Sequence, residues 1–236
     1  MLDRSTVNIE NEAEEISRAI YFESENIVTM IPEESLLQKD KFIECIQLRE
    51  RIRHPNIPQF LGVIPDENGV PKWLMFENYN CTLLELLTPS SNFHILDITK
   101  QICLALLYLH SKDIVHGNLS PKTIVIGRGN VAKIGFVLKG RFLNNIGTKE
   151  DDIRALGKLI VQMCYKSPIE TNMKTYKGIL KQYPVFSKLL SSCFCPSPAS
   201  AKDILEIVTS VLENHQPFIA IEKICPKTQK KKKKSK

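Results

Sequence analysis

Residues 113–126, DIVHGNLSPKTIVI, run apolar, then polar, then apolar again, with His116, Gly117 and Asn118 at the break. That is the layout of a catalytic loop held between two buried segments. An imidazole at such a break can act as an acid, a base or a hydrogen-bonding core group. The amide of Asn118 is no base at neutral pH, and residues 116–120 carry neither a carboxylate nor a cation. The stretch is either an active site or the remains of one. Elsewhere, Cys193 and Cys195 are too isolated for a metal to be assigned to them.

The elements that would position this loop fall into two regions. Residues 19–30, AIYFESENIVTM, read as two short strands about a polar turn at Ser24, Glu25 and Asn26. A helix over residues 36–52 and extended segments at IPQFLGVI and KWLMFENYN complete a small strand-rich lobe. From residue 81 the pattern becomes helical. Ile98, Ile102, Ala105, Leu106 and Leu109 recur at helical spacing, and so do Ile153, Leu156, Ile160, Met163 and Cys164. Ser200 and Asp203 form a capping pair ahead of the last apolar helix face. The two regions join near residues 77–82.

Composition bounds the rest. At 236 residues and 43% hydrophobic, the chain can bury a sizeable core. Seven scattered cysteines show no disulfide framework and suit a reducing compartment. The acidic, polar amino-terminal residues do not read as a signal peptide, and no apolar run approaches the roughly 20 residues of a membrane span. The expected location is the cytoplasm, with the nucleus as a second site. The net charge of +6 is concentrated at one end: the last ten residues hold seven of the 32 basic side chains, leaving 25 basic against 26 acidic. Lys230, Lys231, Lys232, Lys233 and Lys234 form a solvated tail suited to weak, unspecific RNA or anionic-lipid contact.

Four segments resemble the eukaryotic protein kinase family. LYLHSKDIVHGNLSPKTIVI resembles its catalytic-loop region, YLHSKxIVHRDLKPxNIL. RIRHPNIPQFLGVI resembles the end of the small-lobe helix and the next strand. WLMFENYNCTLLELL resembles the last small-lobe strand, the hinge and the following helix, and DDIRALGKLIVQM resembles the central helix of the large lobe. Their order and spacing cover roughly residues 15–215. The resemblance implies an α+β, two-lobed fold, with a degenerate small lobe at 1–79, a degenerate large lobe at 80–216 and a basic tail at 217–236. The degenerate motifs also resemble the kinase-like carboxy-terminal domain of germ-cell Tudor-domain kinases.

Phosphoryl transfer depends on positioning and charge neutralisation. By the resemblance, Asn118 stands where the family has its catalytic aspartate, Ser120 where it has the following lysine, and Thr123 where it has a magnesium-binding asparagine. The family interval puts Phe136 at the metal-binding aspartate. Met30 takes the place of the phosphate-pairing lysine and Cys45 that of its glutamate partner; Glu44 would serve only if the helix register slipped. The first glycine of the chain is Gly62, so IENEAEE stands where a glycine-rich loop would cradle phosphate, and its acidic side chains would repel ATP. Only 15 residues separate Phe136 from Asp152, and the APE ending of an activation segment is missing.

What the resemblance retains is scaffold. His116 matches a histidine packed behind the catalytic loop, and Asp152 an aspartate that holds the loop's amides or, more simply, places charge at a helix N-terminus. Val28 and Val125 match the residues that sandwich an adenine ring, and Phe76 the bulky position behind it, although side chains filling their own cleft are the favoured account. The implied protein is a pseudokinase that binds other proteins as a scaffold, with no functional catalytic residue, no metal and no cofactor. The alternatives are a divergent serine/threonine kinase that still binds nucleotide, and an RNA- or chromatin-associated adaptor acting through the lysine tail.

Overall fold

The computed structural model describes residues 1–10, 16–30, 39–135 and 147–214. Phe136 and the lysine tail lie outside the described residues, as do the side chains of Met30 and Cys45.

The small lobe is a five-stranded antiparallel sheet: β1 (Val7–Ile9), β2 (Ile16–Tyr21), β3 (Ser24–Met30), β4 (Phe60–Pro65) and β5 (Pro71–Glu77), in the order β1-β2-β3-β5-β4. Tyr21 pairs with Ser24, so the β2–β3 turn consists of Phe22 and Glu23, with φ of 45° and 62°. This corrects the expected turn at Ser24–Asn26, which is strand. Two-residue hairpins that need positive φ at both positions are usually marked by Asn-Gly, a signal that Phe-Glu does not carry. The three-residue β1 was likewise not expected from the sequence. The amide of Leu2 donates to the Val63 carbonyl at 2.8 Å, so the segment before β1 reaches β4 and curls the sheet on itself. One buried cluster comprises Val7, Ile9, Ala19, Val28, Ile64, Trp73 and Met75. A second joins Phe42 of helix α1 (Lys39–Arg51) to Phe60, Val63, Leu74 and Phe76.

The large lobe holds α2 (Leu83–Leu86), α3 (Ile95–His110), α4 (Lys149–Tyr165), α5 (Met173–Gln182), α6 (Ser187–Phe194) and α7 (Ala201–Asn214). A small sheet of β6 (Cys81–Thr82), β7 (Ile124–Ile126) and β8 (Ala132–Ile134) brackets the catalytic-like loop. The sequence periodicity reappears as burial: Ile98, Ile102, Ala105, Leu106 and Leu109 of α3 pack with Ile153, Leu156, Ile160, Met163 and Cys164 of α4 in one core. Ser200 and Asp203 cap α7 reciprocally, at 2.9 Å and 3.2 Å between backbone amide and side chain.

The chain crosses between lobes after β5, and a second segment locks them. Ile52 and Ile57, which follow α1, belong to the large-lobe core. Between them Asn56 is buried, its Nδ2 donating to the Ala132 carbonyl at 2.9 Å, while its own carbonyl accepts from Ile134 N at 2.9 Å. The side-chain amide and the main-chain carbonyl of Asn56 together fix the segment after α1 against β8.

Candidate functional site

The catalytic-like loop is held by one carboxylate. Thr148 and Asp151 form a reciprocal cap that starts α4 and leaves Asp152 in its first turn, 1% exposed. Asp152 Oδ2 accepts from His116 N at 2.9 Å and from His110 Nε2 at 2.9 Å, and Oδ1 accepts from Gly117 N at 2.8 Å. Gly117 has φ of +70°, a conformation that glycine adopts without steric cost and that lets both loop amides face the carboxylate. Asp152 is thus tied to the loop itself, beyond any interaction with the dipole of its own helix.

His116 is buried and fully engaged. Its Nδ1 accepts from Asn118 N at 3.3 Å, which leaves the proton on Nε2 to donate to the Gly135 carbonyl at 2.9 Å. Burial lowers its pKa, opposed by the bond to Gly135 and the charge of Asp152 and reinforced by Arg49 and His110. A neutral imidazole with both nitrogens committed has no free site for proton transfer.

Thr123 is also buried. Its hydroxyl donates toward the Asn118 carbonyl at 2.8 Å and the Ser120 carbonyl at 3.1 Å, and accepts from Ser120 N at 2.9 Å. The hydroxyl closes the loop on itself. Asn118, by contrast, is exposed. The structure therefore brings His116, Asn118, Ser120, Thr123 and Asp152 together. Among the described residues, no group of three or more His, Cys, Asp and Glu side chains is placed to hold a metal ion.

In the small lobe, the Met30 backbone pairs with Trp73 at the end of β3, and Cys45 lies within α1. Glu44, the alternative carboxylate, is exposed. The acidic stretch follows β1, and the Glu10 amide donates to the Arg18 carbonyl at 3.0 Å; residues 11–15 lie outside the described residues. Val28, Phe76 and Val125 are all buried: Val28 packs in the curled sheet, Phe76 packs against the Phe60 ring at 5.6 Å, and Val125 pairs with Thr82 and Lys133.

Three features escaped the sequence reading. Arg49 of α1 is 4% exposed, with its guanidinium 5.7 Å from the Phe76 ring centroid, and it places a positive charge within electrostatic reach of His116. Lys133 Nζ donates to Glu77 Oε1 at 2.6 Å, joining β8 to the hinge. Arg154 Nη2 donates to the Pro196 carbonyl at 2.9 Å, fastening the α6–α7 loop to the central helix. Helical and strand periodicity mark neither a cation for burial, as at Arg49, nor the distant partner that Lys133 or Arg154 reaches, so none of these was legible. Burial pushes the Cys164 and Cys193 thiols up to about 12, which makes them core side chains rather than nucleophiles.

The family profile of protein tyrosine and serine/threonine kinases matches residues 15–152. The chain belongs to the protein kinase family. Among its relatives, the U-box domain-containing protein 32 of Arabidopsis thaliana is 26% identical over 181 residues, covering 65% of this chain and 22% of that protein. An Aurora kinase of Saccharomyces cerevisiae is 33% identical over 102 residues, covering 42% of this chain and 27% of the relative. The inhibitor of nuclear factor kappa-B kinase subunit alpha of Xenopus tropicalis is 24% identical over 206 residues, 83% of this chain and 26% of that protein. The chain thus spans roughly a quarter of the length of these three relatives.

Proposed function

We propose that this kinase-family chain is a pseudokinase that works by binding a partner protein rather than by transferring phosphate. The observation that carries this reading is Asn118, an exposed amide on a loop whose buried polar groups are committed to holding its shape. Asp152 holds the amides of His116 and Gly117, and the Thr123 hydroxyl holds Asn118 and Ser120, so the buried polar groups serve the loop's shape. The position that resembles the family's base carries the exposed amide of Asn118, which cannot accept a substrate proton. Loss of a general base costs a factor of about 10² to 10⁴ in rate. The reading extends to Phe136 and Met30, where side chains without charge replace a metal ligand and a phosphate-pairing cation. Cysteine usage supports a cytoplasmic setting, with the lysine run favouring nuclear import as a second one.

The test is thermal denaturation with ATP, with and without magnesium or manganese. The expected result is no metal-dependent shift. Saturation at 100 times Kd would stabilise the fold by about 2.7 kcal/mol, so a magnesium-dependent rise at millimolar ATP would establish nucleotide binding and return the divergent-kinase reading.

A further inference from the structure

The inactive cleft leaves open where a partner would bind, and the far end of the large lobe carries a second surface. Helix α5 presents Lys174, Lys177 and Lys181, at spacings of three and four residues that place them on one helical face. All three are exposed, and so are Lys158 on α4 and Lys188 on α6. Between residues 155 and 201 the sequence has six lysines and one carboxylate, Glu170. Among the described residues none of the five exposed lysines joins a salt bridge. A solvated helix face ordinarily mixes signs, because like charges three and four residues apart repel. This face does not.

Asn172, the N-cap of α5, and Tyr176 within it line a hollow of about 580 Å³ together with Lys158, Thr171, Ser191, Phe194 and Cys195. The Thr171 hydroxyl is buried there without a hydrogen-bond partner. Tyr176 and Phe194 meet edge to face, with ring centroids 5.4 Å apart. Phe194 is seated against Gly157 so closely that a Cβ on that glycine would stand 2.9 Å from the ring. The rings are therefore walls of a cavity rather than open faces.

We propose that this hollow and the lysines of α5 dock an acidic segment of a partner protein that carries an apolar or aromatic anchor residue. The hollow takes the anchor side chain, Thr171 and Lys158 offer hydrogen-bond donors to the anchor residue's main-chain carbonyl, and Lys174, Lys177, Lys181 and Lys188 attract the flanking carboxylates. Single-stranded nucleic acid fits less well, because stacking needs ring faces that are free, and here both rings are engaged with protein. A membrane surface fits less well again, because interfacial binding needs protruding apolar side chains. The large hydrophobics exposed among the described residues, Met1, Ile20, Phe22, Ile43 and Val70, all lie in the small lobe.

The inference rests on the scaffold reading for its purpose, yet peptide binding is measured without nucleotide. The probe is a fluorescein-labelled peptide of aspartate and glutamate around one central phenylalanine, titrated against the full chain by anisotropy. The comparisons are the combined variant Lys174→Glu, Lys177→Glu and Lys181→Glu; Ser191→Trp, which fills the hollow; and a peptide with alanine at its centre. Each should weaken binding by about tenfold or more at physiological salt with Tm unchanged. Lys177→Glu alone, with a smaller loss, serves if the combined variant melts early. A labelled uridine oligonucleotide and phosphatidylserine vesicles should bind wild type and variants alike, since every one keeps Lys230 to Lys234. Equal peptide affinity for wild type and charge-reversed protein, or no affinity, overturns the site. So does a loss confined to oligonucleotide or vesicles. Such a failure, combined with the absence of an ATP-dependent shift, removes this surface and leaves the inactive-kinase reading standing.

Discussion

The catalytic-like loop and the α5 surface use polar groups in opposite ways. In the loop, Asp152 is 1% exposed and accepts three hydrogen bonds, and Thr123 and His116 have their polar atoms satisfied by protein. On α5, Lys174, Lys177 and Lys181 are exposed and form no salt bridge among the described residues. Buried polar groups that lose a partner are costly, whereas exposed charges contribute little to stability. The loop is therefore kept by the fold, and the lysines are free to be kept by a ligand. On the proposed reading, the family scaffold loses chemistry at one end and keeps recognition at the other.

The comparison breaks most sharply at Asp152. Asp152→Ala leaves the amides of His116 and Gly117 and the His110 ring without their acceptor, and should cost about 3–5 kcal/mol in urea unfolding. A loss below about 1 kcal/mol would mean that the loop is held by something else. Next comes Thr123→Val, which keeps the shape but removes the hydroxyl from the Ser120 amide and the Asn118 carbonyl. About 1–3 kcal/mol should be lost. Asn118→Asp, at an exposed position of the same loop, should change stability by about 0.5 kcal/mol or less and restore no phosphotransfer in a radiolabelled-ATP assay.

A pH series sharpens the picture. The folded-state pKa of His116 is lowered, so between the unfolded value near 6.5 and the folded value the unfolded chain binds more protons. Its contribution is fully present above about pH 6.5 and is lost as pH falls toward the folded pKa. His54 is lowered by burial and acts in the same direction. Urea midpoints should therefore decline from pH 7 to pH 5, and His116→Gln should flatten part of that slope while lowering the plateau. A slope identical in the two proteins would assign the effect to His54 or to the carboxylates. The smallest effect is expected on α5, where the combined lysine-to-glutamate variant should shift stability by about 0.5 kcal/mol or less.

The sequence by itself determined α3 and α4 of the large lobe, because their apolar periodicity is strong over four turns and core burial follows it residue by residue. It determined the cap of α7, since Ser200 and Asp203 act within one turn. At His116, Asn118 and Thr123 residue type alone limits what can give or take a proton, an expectation that the nucleotide titration and the Asn118→Asp assay test. The turn at Phe22 and Glu23 was decided by pairing across β2 and β3, and the three-residue β1 by Leu2 reaching β4. Arg49 beside Phe76 and Arg154 on the Pro196 carbonyl were decided by tertiary packing as well, as was the joining of Lys158, Tyr176 and Phe194 around one hollow. The physical reason is range. Propensity, capping and proton affinity act through a few neighbouring residues, whereas the burial of a cation or the shape of a cavity depends on side chains brought together from distant parts of the chain.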